Sequence, residues 1–351
     1  MNLNEVRDAA REHLKPFCNV CKECNGVYCS GNVPGMGGSG SGNGMKRAYE
    51  KLSEIKFHMK TMHKAKDPVT DTELFGRNIS LPLLAAPVTG NKYNMGGHLS
   101  EAEYCEAIVR GCKEAGTMAM VGDGGDPDLL LCGLSAIKKY EAPGIVIIKP
   151  RENDEIIKRI RLAEEAGAIA IGIDIDGAGL VTMALMGQPV GPKTGEELYE
   201  IVHSTELPLI LKGVMTVEEA KMAVRIGAKA IVVSNHGGRI LDDTLAPCEV
   251  LPEIAREVKG KLTIMADGSV KNGRDIFKYL ALGADMTLSA RALIWGAYGN
   301  GSEGVCTYIR HMQESLRSTM ILTGAEQISD IRSDMIYRDL PNVFPFVKGV
   351  F

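Results

Sequence analysis

Residues 208–239 read PLILKGVMTVEEAKMAVRIGAKAIVVSNHGGR. An apolar run, Pro208 to Leu211, ends on Lys212. An amphipathic stretch, Thr216 to Ile226, closes on Gly227, and a second apolar run, Ala230 to Val233, opens onto Ser234, Asn235 and His236. Short runs that are nearly all apolar suit strands covered on both faces, and the stretch between them has the apolar spacing of a helix. Glycine just after that helix suits its C-terminal cap. Strand, helix and strand together predict a parallel crossover unit.

The unit recurs along the chain. Strands are expected at 81–86, 117–121, 144–149, 169–174, 208–212, 230–234, 262–267 and 285–289, with helices at 100–115, 154–166, 216–226, 248–258 and 272–281 between them. Eight such repeats over about 240 residues match a TIM (β/α)8 barrel, an α/β fold, with a doubly wound open sheet as the alternative. Lys212, His236, Asp267 and Arg291 each follow an apolar run. In a barrel those strand ends meet on one face, the face that carries active sites. The expected organisation is an N-terminal extension at 1–78, a barrel at 79–340 and a tail at 341–351.

Bulk composition excludes several classes. The chain has 351 residues, 45% hydrophobic and 24% charged, with a formal net charge of -4. That balance gives no basic footprint for nucleic acid or an anionic membrane surface. No apolar run approaches the roughly 20 residues of a membrane span, and the start of the chain, MNLNEVRDAAREHLK, has no signal-peptide core. A cytoplasmic location is the expectation. Nine cysteines, an odd number, argue for thiols or a metal centre over a disulfide framework.

The chemistry is concentrated in SNHGGRILDD, residues 234–243. An imidazole moves protons near neutral pH, and a guanidinium three residues on can hold a carboxylate with two parallel hydrogen bonds. His236 and Arg239 therefore point to chemistry on an organic acid. Downstream, Asp267-Gly268-Ser269-Val270-Lys271-Asn272-Gly273 precedes a helix and Ala290-Arg291 follows the last strand. Exposed backbone N–H groups, a helix N-terminus and two cations make a candidate phosphate cradle.

LILKGV, SNHGGRILDD, ADGSVKNGRDIFKYLALGAD, SARALIWG and STMILTGAEQISDI occur in this order and resemble the FMN-dependent α-hydroxy acid oxidase and dehydrogenase family. The likeness is strongest from about Glu197 to Tyr337 and weaker in ISLPLLAAPVTG and AEEAGAIAIGIDID. It implies FMN held at the barrel mouth and oxidation of a lactate-like 2-hydroxy acid to the 2-oxo acid by hydride transfer to flavin N5. His236 would then be the base, Arg239 the carboxylate clamp, Asp176 the group that orients the histidine, and Lys212 the cation beside the flavin ring. Ala85, Ala86, Pro87, Ser234, Asp267, Gly268, Ser269, Lys271, Ala290 and Arg291 would contact the cofactor. The likeness also implies a homo-oligomer.

Departures from the pattern bear on the substrate. The family's strand-three glutamine and tyrosine align with Gly144 and Val146, and its strand-four threonine with Asp174, which would put negative charge near the flavin. The loop from Gly177 to Thr194 offers no second arginine, Lys193 being a poor substitute. An FMN-dependent isomerase resembling type 2 isopentenyl diphosphate isomerase and a non-catalytic flavin-binding redox sensor are the alternative functions.

Cys18, Cys21, Cys24 and Cys29 lie in CNVCKECNGVYC, spaced by two, two and four residues. A four-iron four-sulfur cluster, a zinc ion or no metal are all compatible with that run. A cluster would take electrons from reduced flavin singly and make the protein a dehydrogenase with an unidentified acceptor. Gly31 to Gly44, GNVPGMGGSGSGNG, has no strand before it and reads as a flexible linker or lid. Cys105, Cys112, Cys132, Cys248 and Cys306 read as plain packing residues, and KFHMKTMHKAK as a solvated segment.

Overall fold

A computed structural model describes residues 1–338; the expected tail at 341–351 lies outside the described residues. Eight parallel strands, β1 (Leu83–Ala85), β2 (Met118–Gly122), β3 (Ile145–Ile148), β4 (Ala170–Asp174), β5 (Leu209–Val214), β6 (Ala230–Val233), β7 (Thr263–Ala266) and β8 (Met286–Ser289), form a closed barrel. Each strand pairs with the next in sequence, and β8 closes on β1 through Thr287–Leu83, Leu288–Leu84 and Ser289–Ala85. The open sheet is thereby ruled out. The predicted strand ends are met within two residues throughout.

Period-two alternation divides the strand side chains between two cores. Leu84, Met120, Ile145, Ile147, Ile210, Val232 and Met265 fill the barrel interior. Val146, Ile148, Ile171, Leu211, Ile231 and Ile264 pack against the surrounding helices. Both faces being covered, the strands need no polar alternation, and this is why they read as continuous apolar runs.

The N-terminal extension is packed onto the barrel. Helix α1 (Leu3–Leu14) opens with a capping box in which Asn2 accepts from the backbone of Asn4 and Glu5 while Glu5 reaches back. It lies along the last helix, α10 (Arg291–Thr323), by way of Val6, Ala10 and Leu14, all fully buried. Helix α2 (Asn43–Glu54) lies beside the His236 turn, and Lys56–Phe57 pair antiparallel with Ile336–Tyr337. The longer helices between them are α3 (Glu101–Glu114), α4 (Pro127–Tyr140), α5 (Asn153–Glu165), α6 (Gly195–His203), α7 (Val217–Arg225), α8 (Pro247–Val258) and α9 (Gly273–Ala281), with short helical turns at Asn91–Asn94 and Val181–Leu185. Among the described residues, no helix is long and apolar enough to cross a membrane.

The close approach of α1 to α10 depends on Gly299, where an added Cβ would lie 2.2 Å from the Val6 carbonyl oxygen. Alanine gains up to about 1 kcal/mol of helix propensity, but overlap with backbone costs more. Gly299→Ala is expected to lower stability by about 2 kcal/mol net and to displace α1, measured by thermal unfolding and by faster proteolysis within residues 1–30.

Candidate active site

Strand register brings the first cluster together. Asp174, the last residue of β4, is the Cα partner of Lys212 on β5, and Lys149 follows the end of β3. Lys212 Nζ donates to Asp174 Oδ1 at 2.8 Å, while Lys149 Nζ donates to Asp174 Oδ2. Burial pushes the Asp174 carboxyl up, but Lys149, Lys212 and His236 outweigh it and hold it well below the usual carboxylate range. Lys212 is pushed the other way: burial lowers it, and Asp174, Asp176 and Asp267 together raise it above the ordinary lysine value. The negative charge expected at Asp174 is therefore present but doubly neutralised.

His236 lies three residues past the end of β6 with φ of 56°, a left-handed conformation unusual for a residue with a Cβ. Its Nδ1 is 3.1 Å from Asp176 Oδ1, 3.5 Å from Asp174 Oδ1 and 3.3 Å from Lys212 Nζ. Asp176 can only accept at Nδ1 and Lys212 can only donate there; in the tautomer with the proton on Nδ1 directed to Asp176, Nε2 keeps its lone pair. Asp174, Asp176 and His236 are close enough for a metal ion. Lys212 already supplies the cation there.

Arg239 sits across the same cavity. Its Nη1 donates to the carbonyls of Gly35 (2.6 Å) and Gly37 (2.9 Å), and Nη2 donates to Asn94 Oδ1 at 3.1 Å. All three acceptors are neutral, and no carboxylate pairs with it among the described residues. Burial, with Arg291 adding repulsion, lowers its pKa to about 10. A buried cation with neutral partners is a costly arrangement unless an anion completes it.

Those carbonyls belong to the glycine-rich stretch, which is no free linker. Asp242 accepts from Ser41 N (2.6 Å), Ser41 Oγ (2.7 Å) and Gly44 N (2.9 Å), and Ser39 N donates to Gly238 O. Gly238 has φ of 71°, and a Cβ there would come within 2.5 Å of Met45 N. Residues 35–45 thus close over the SNHGGR segment as a lid.

Asp267, Gly268, Ser269, Lys271, Ala290 and Arg291 line the other side of the cavity, with Ala86 and Pro87. Asp267 Oδ1 and Ser269 Oγ are buried without a hydrogen-bond partner. Orphaned polar atoms beside two cations and a helix N-terminus fit a polyol phosphate such as the ribityl phosphate of FMN. Two expected contacts lie behind the wall: Ala85 packs toward the helices, and Ser234 Oγ donates to Asp267 Oδ2.

The strand-three alignment needs correction. Val146 faces the helices, and a Cβ on Gly144 would meet Ile137 at 2.4 Å, so neither position faces the site. Parity puts Ile145 and Ile147 inward and Lys149 at the mouth. Lys193 pairs with Glu197 at 3.0 Å, away from the cavity. Reading the sequence missed Lys149, Asp123, Tyr93 and Asn94, all on the cavity wall. The strand-end rule applied to β2 and β3 would have found Asp123 and Lys149. Asp123 is matched by Arg151 Nε at 3.0 Å. Burial raises the Tyr93 phenol to about 12, so it stays protonated.

The description "FMN-dependent dehydrogenase" belongs to the family model that matches residues 35–184 and 181–338. L-lactate dehydrogenase of Pseudomonas putida (strain W619) is 44% identical over 133 residues, 38% of this chain and 35% of that protein. L-lactate dehydrogenases of Acinetobacter baumannii are 46% identical over 129 residues. These alignments span about a third of those relatives' own length. 4-Hydroxymandelate oxidase of Amycolatopsis orientalis is 28% identical over 84% of this chain and 90% of that protein. A crystal structure of mandelate oxidase superposes with a TM-score of 0.77 at 25% identity, covering 96% of this chain and 97% of that one. Another, with (S)-2-phenylpropionate, gives 0.74 over 96% and 97% at the same identity.

Removing the shared anion isolates the cost of the charge cluster. Because the folded pKa of Asp174 is depressed, its contribution is full above the unfolded value of about 4 and is lost as pH falls through the folded value. Asp174→Asn is expected to lose about 3–5 kcal/mol at pH 7, with the gap to the unsubstituted protein closing only below about pH 4. Denaturant unfolding at both pH values checks this.

Proposed function

The chain belongs to the FMN-dependent dehydrogenase family, and on that premise we propose that it oxidises a small 2-hydroxy acid to the 2-oxo acid. The observation that carries the reading is Arg239, a buried guanidinium bonded only to neutral acceptors beside a histidine with a free Nε2. Three of its five N–H donors are engaged, leaving Nε–H and one Nη2–H, the pair suited to a carboxylate.

When bound, FMN supplies the two-electron acceptor. Ser269, Lys271 and Arg291 would hold its phosphate, Asp267 its ribityl hydroxyls, and Lys212 would stand beside the ring. Arg239 fixes the substrate carboxylate, which sets the hydroxyl near His236 Nε2. His236 takes the hydroxyl proton, and Asp176 stabilises the imidazolium that results. Tyr93 offers a phenolic donor to the substrate from the short helix Asn91–Asn94 after β1, in place of the tyrosine absent from β3. The lid at residues 35–45 keeps water from the reacting carbon. Family resemblance supports a homo-oligomer, and the four-cysteine cavity offers the electrons an exit.

Anaerobic addition of lactate, glycolate or mandelate to the FMN-loaded protein is expected to bleach the flavin. His236→Asn should retain FMN and slow bleaching by about 10²–10⁴-fold. Arg239→Met should weaken saturation by the acid by about 2–5 kcal/mol. Undiminished bleaching in His236→Asn removes it as the base, and no bleaching with any 2-hydroxy acid defeats the reading.

A further inference from the structure

Cys18, Cys21, Cys24 and Cys29 converge on one small cavity between α1 and the barrel, and none forms a disulfide. The loop is held from outside by two guanidinium groups. Arg7 donates to the carbonyls of Val20 and Cys21 (3.3 and 2.8 Å), and Arg11 Nε to that of Asn19 (3.0 Å).

Two donors reach the sulfurs, and a third lies beside them unpartnered. Val20 N donates to Cys18 Sγ at 3.4 Å, and Arg291 Nη1 to Cys24 Sγ at 3.1 Å. The indole N–H of Trp295, a residue 2% exposed, lies near Cys18 and is buried without a hydrogen-bond partner. Neutral thiols are weak acceptors and do not require this. Metal-bound thiolates do, because N–H contacts spread their charge and set the redox potential. Arg7 also stacks over the Trp295 ring, 5.0 Å from its centre, adding positive charge behind the donor.

Four cysteines lining one cavity are a donor set for zinc or for an iron-sulfur cluster, and N–H donors on the sulfurs beside a second, larger cavity favour the redox-active cluster.

We propose that Cys18, Cys21, Cys24 and Cys29 ligate a four-iron four-sulfur cluster that relays electrons out of the adjoining cavity. Met36 and Arg291 line both cavities, so one side chain thickness separates them. The relay, though not the cluster, rests on the function proposed above. Oxidation of the hydroxy acid releases two electrons and two protons. The cluster alternates between its 2+ and 1+ states, so each turnover discharges it twice to an external one-electron acceptor, a redox protein or a dye such as ferricyanide.

Protein isolated without oxygen is expected to contain four iron and four acid-labile sulfide per chain and to give a reduced-cluster EPR signal with dithionite. Stoichiometric zinc, or less than one iron per chain, overturns the site whatever the flavin does. Cys21→Ser and Cys24→Ser should lose the iron. Trp295→Phe keeps the packing and should shift the cluster potential to more negative values; an unchanged potential removes Trp295 as a donor. Anaerobic lactate or mandelate should produce the same EPR signal in the unsubstituted protein. A flavin that bleaches without that signal overturns the relay, and a flavin that does not bleach counts against the proposed function alone.

Discussion

Asp174 is a buried carboxylate held by two ammonium groups, and its position fixes the barrel mouth. Any one of the three charges left alone at this depth would cost several kcal/mol, so the ends of β3, β4 and β5 are held in a single arrangement. Lys212 is placed by that cluster at 3.3 Å from His236, and Asp176, two residues past Asp174, supplies the carboxylate that orients the ring. The electrostatic surroundings of His236 therefore depend on a charge pattern set by strand register.

Across the cavity the constraint is different. Arg239 is a cation held in part by two backbone carbonyls, and these come from a segment some two hundred residues earlier. Asp242 anchors that segment, held far below the usual carboxylate range by the Ser41 and Gly44 donors, which outweigh the upward push of burial. Guanidinium and lid are consequently one structure, because Arg239 holds the cover by the carbonyls of Gly35 and Gly37. Arg291 has a similar double position, on the wall of one cavity beside Lys271 and on Cys24 in the next.

Much of the fold was legible because covered parallel strands leave a local signature. The runs at 144–149 and 169–174 give strands ending within one residue of expectation, since apolar runs and glycine caps act over a few positions. Parity was not legible. In strands apolar on both faces, nothing in the sequence distinguishes Val146, which faces the helices, from Ile147, which faces the interior. A slip of one residue sent the strand-three comparison to the wrong face and hid Lys149.

The sequence alone determined the eightfold strand and helix alternation, the polar residues at strand ends and the clustering of four cysteines, because each is a matter of local spacing. Closure of the barrel decided the rest. It neutralised Asp174 between lysines from its two neighbouring strands, which reading along one strand cannot show. Packing of α1 on α10 set the cysteine loop against Arg291 and Trp295, and the lid reached Arg239 from the far end of the chain. These are long-range contacts fixed by burial and charge pairing, and no local pattern encodes which partner each side chain meets.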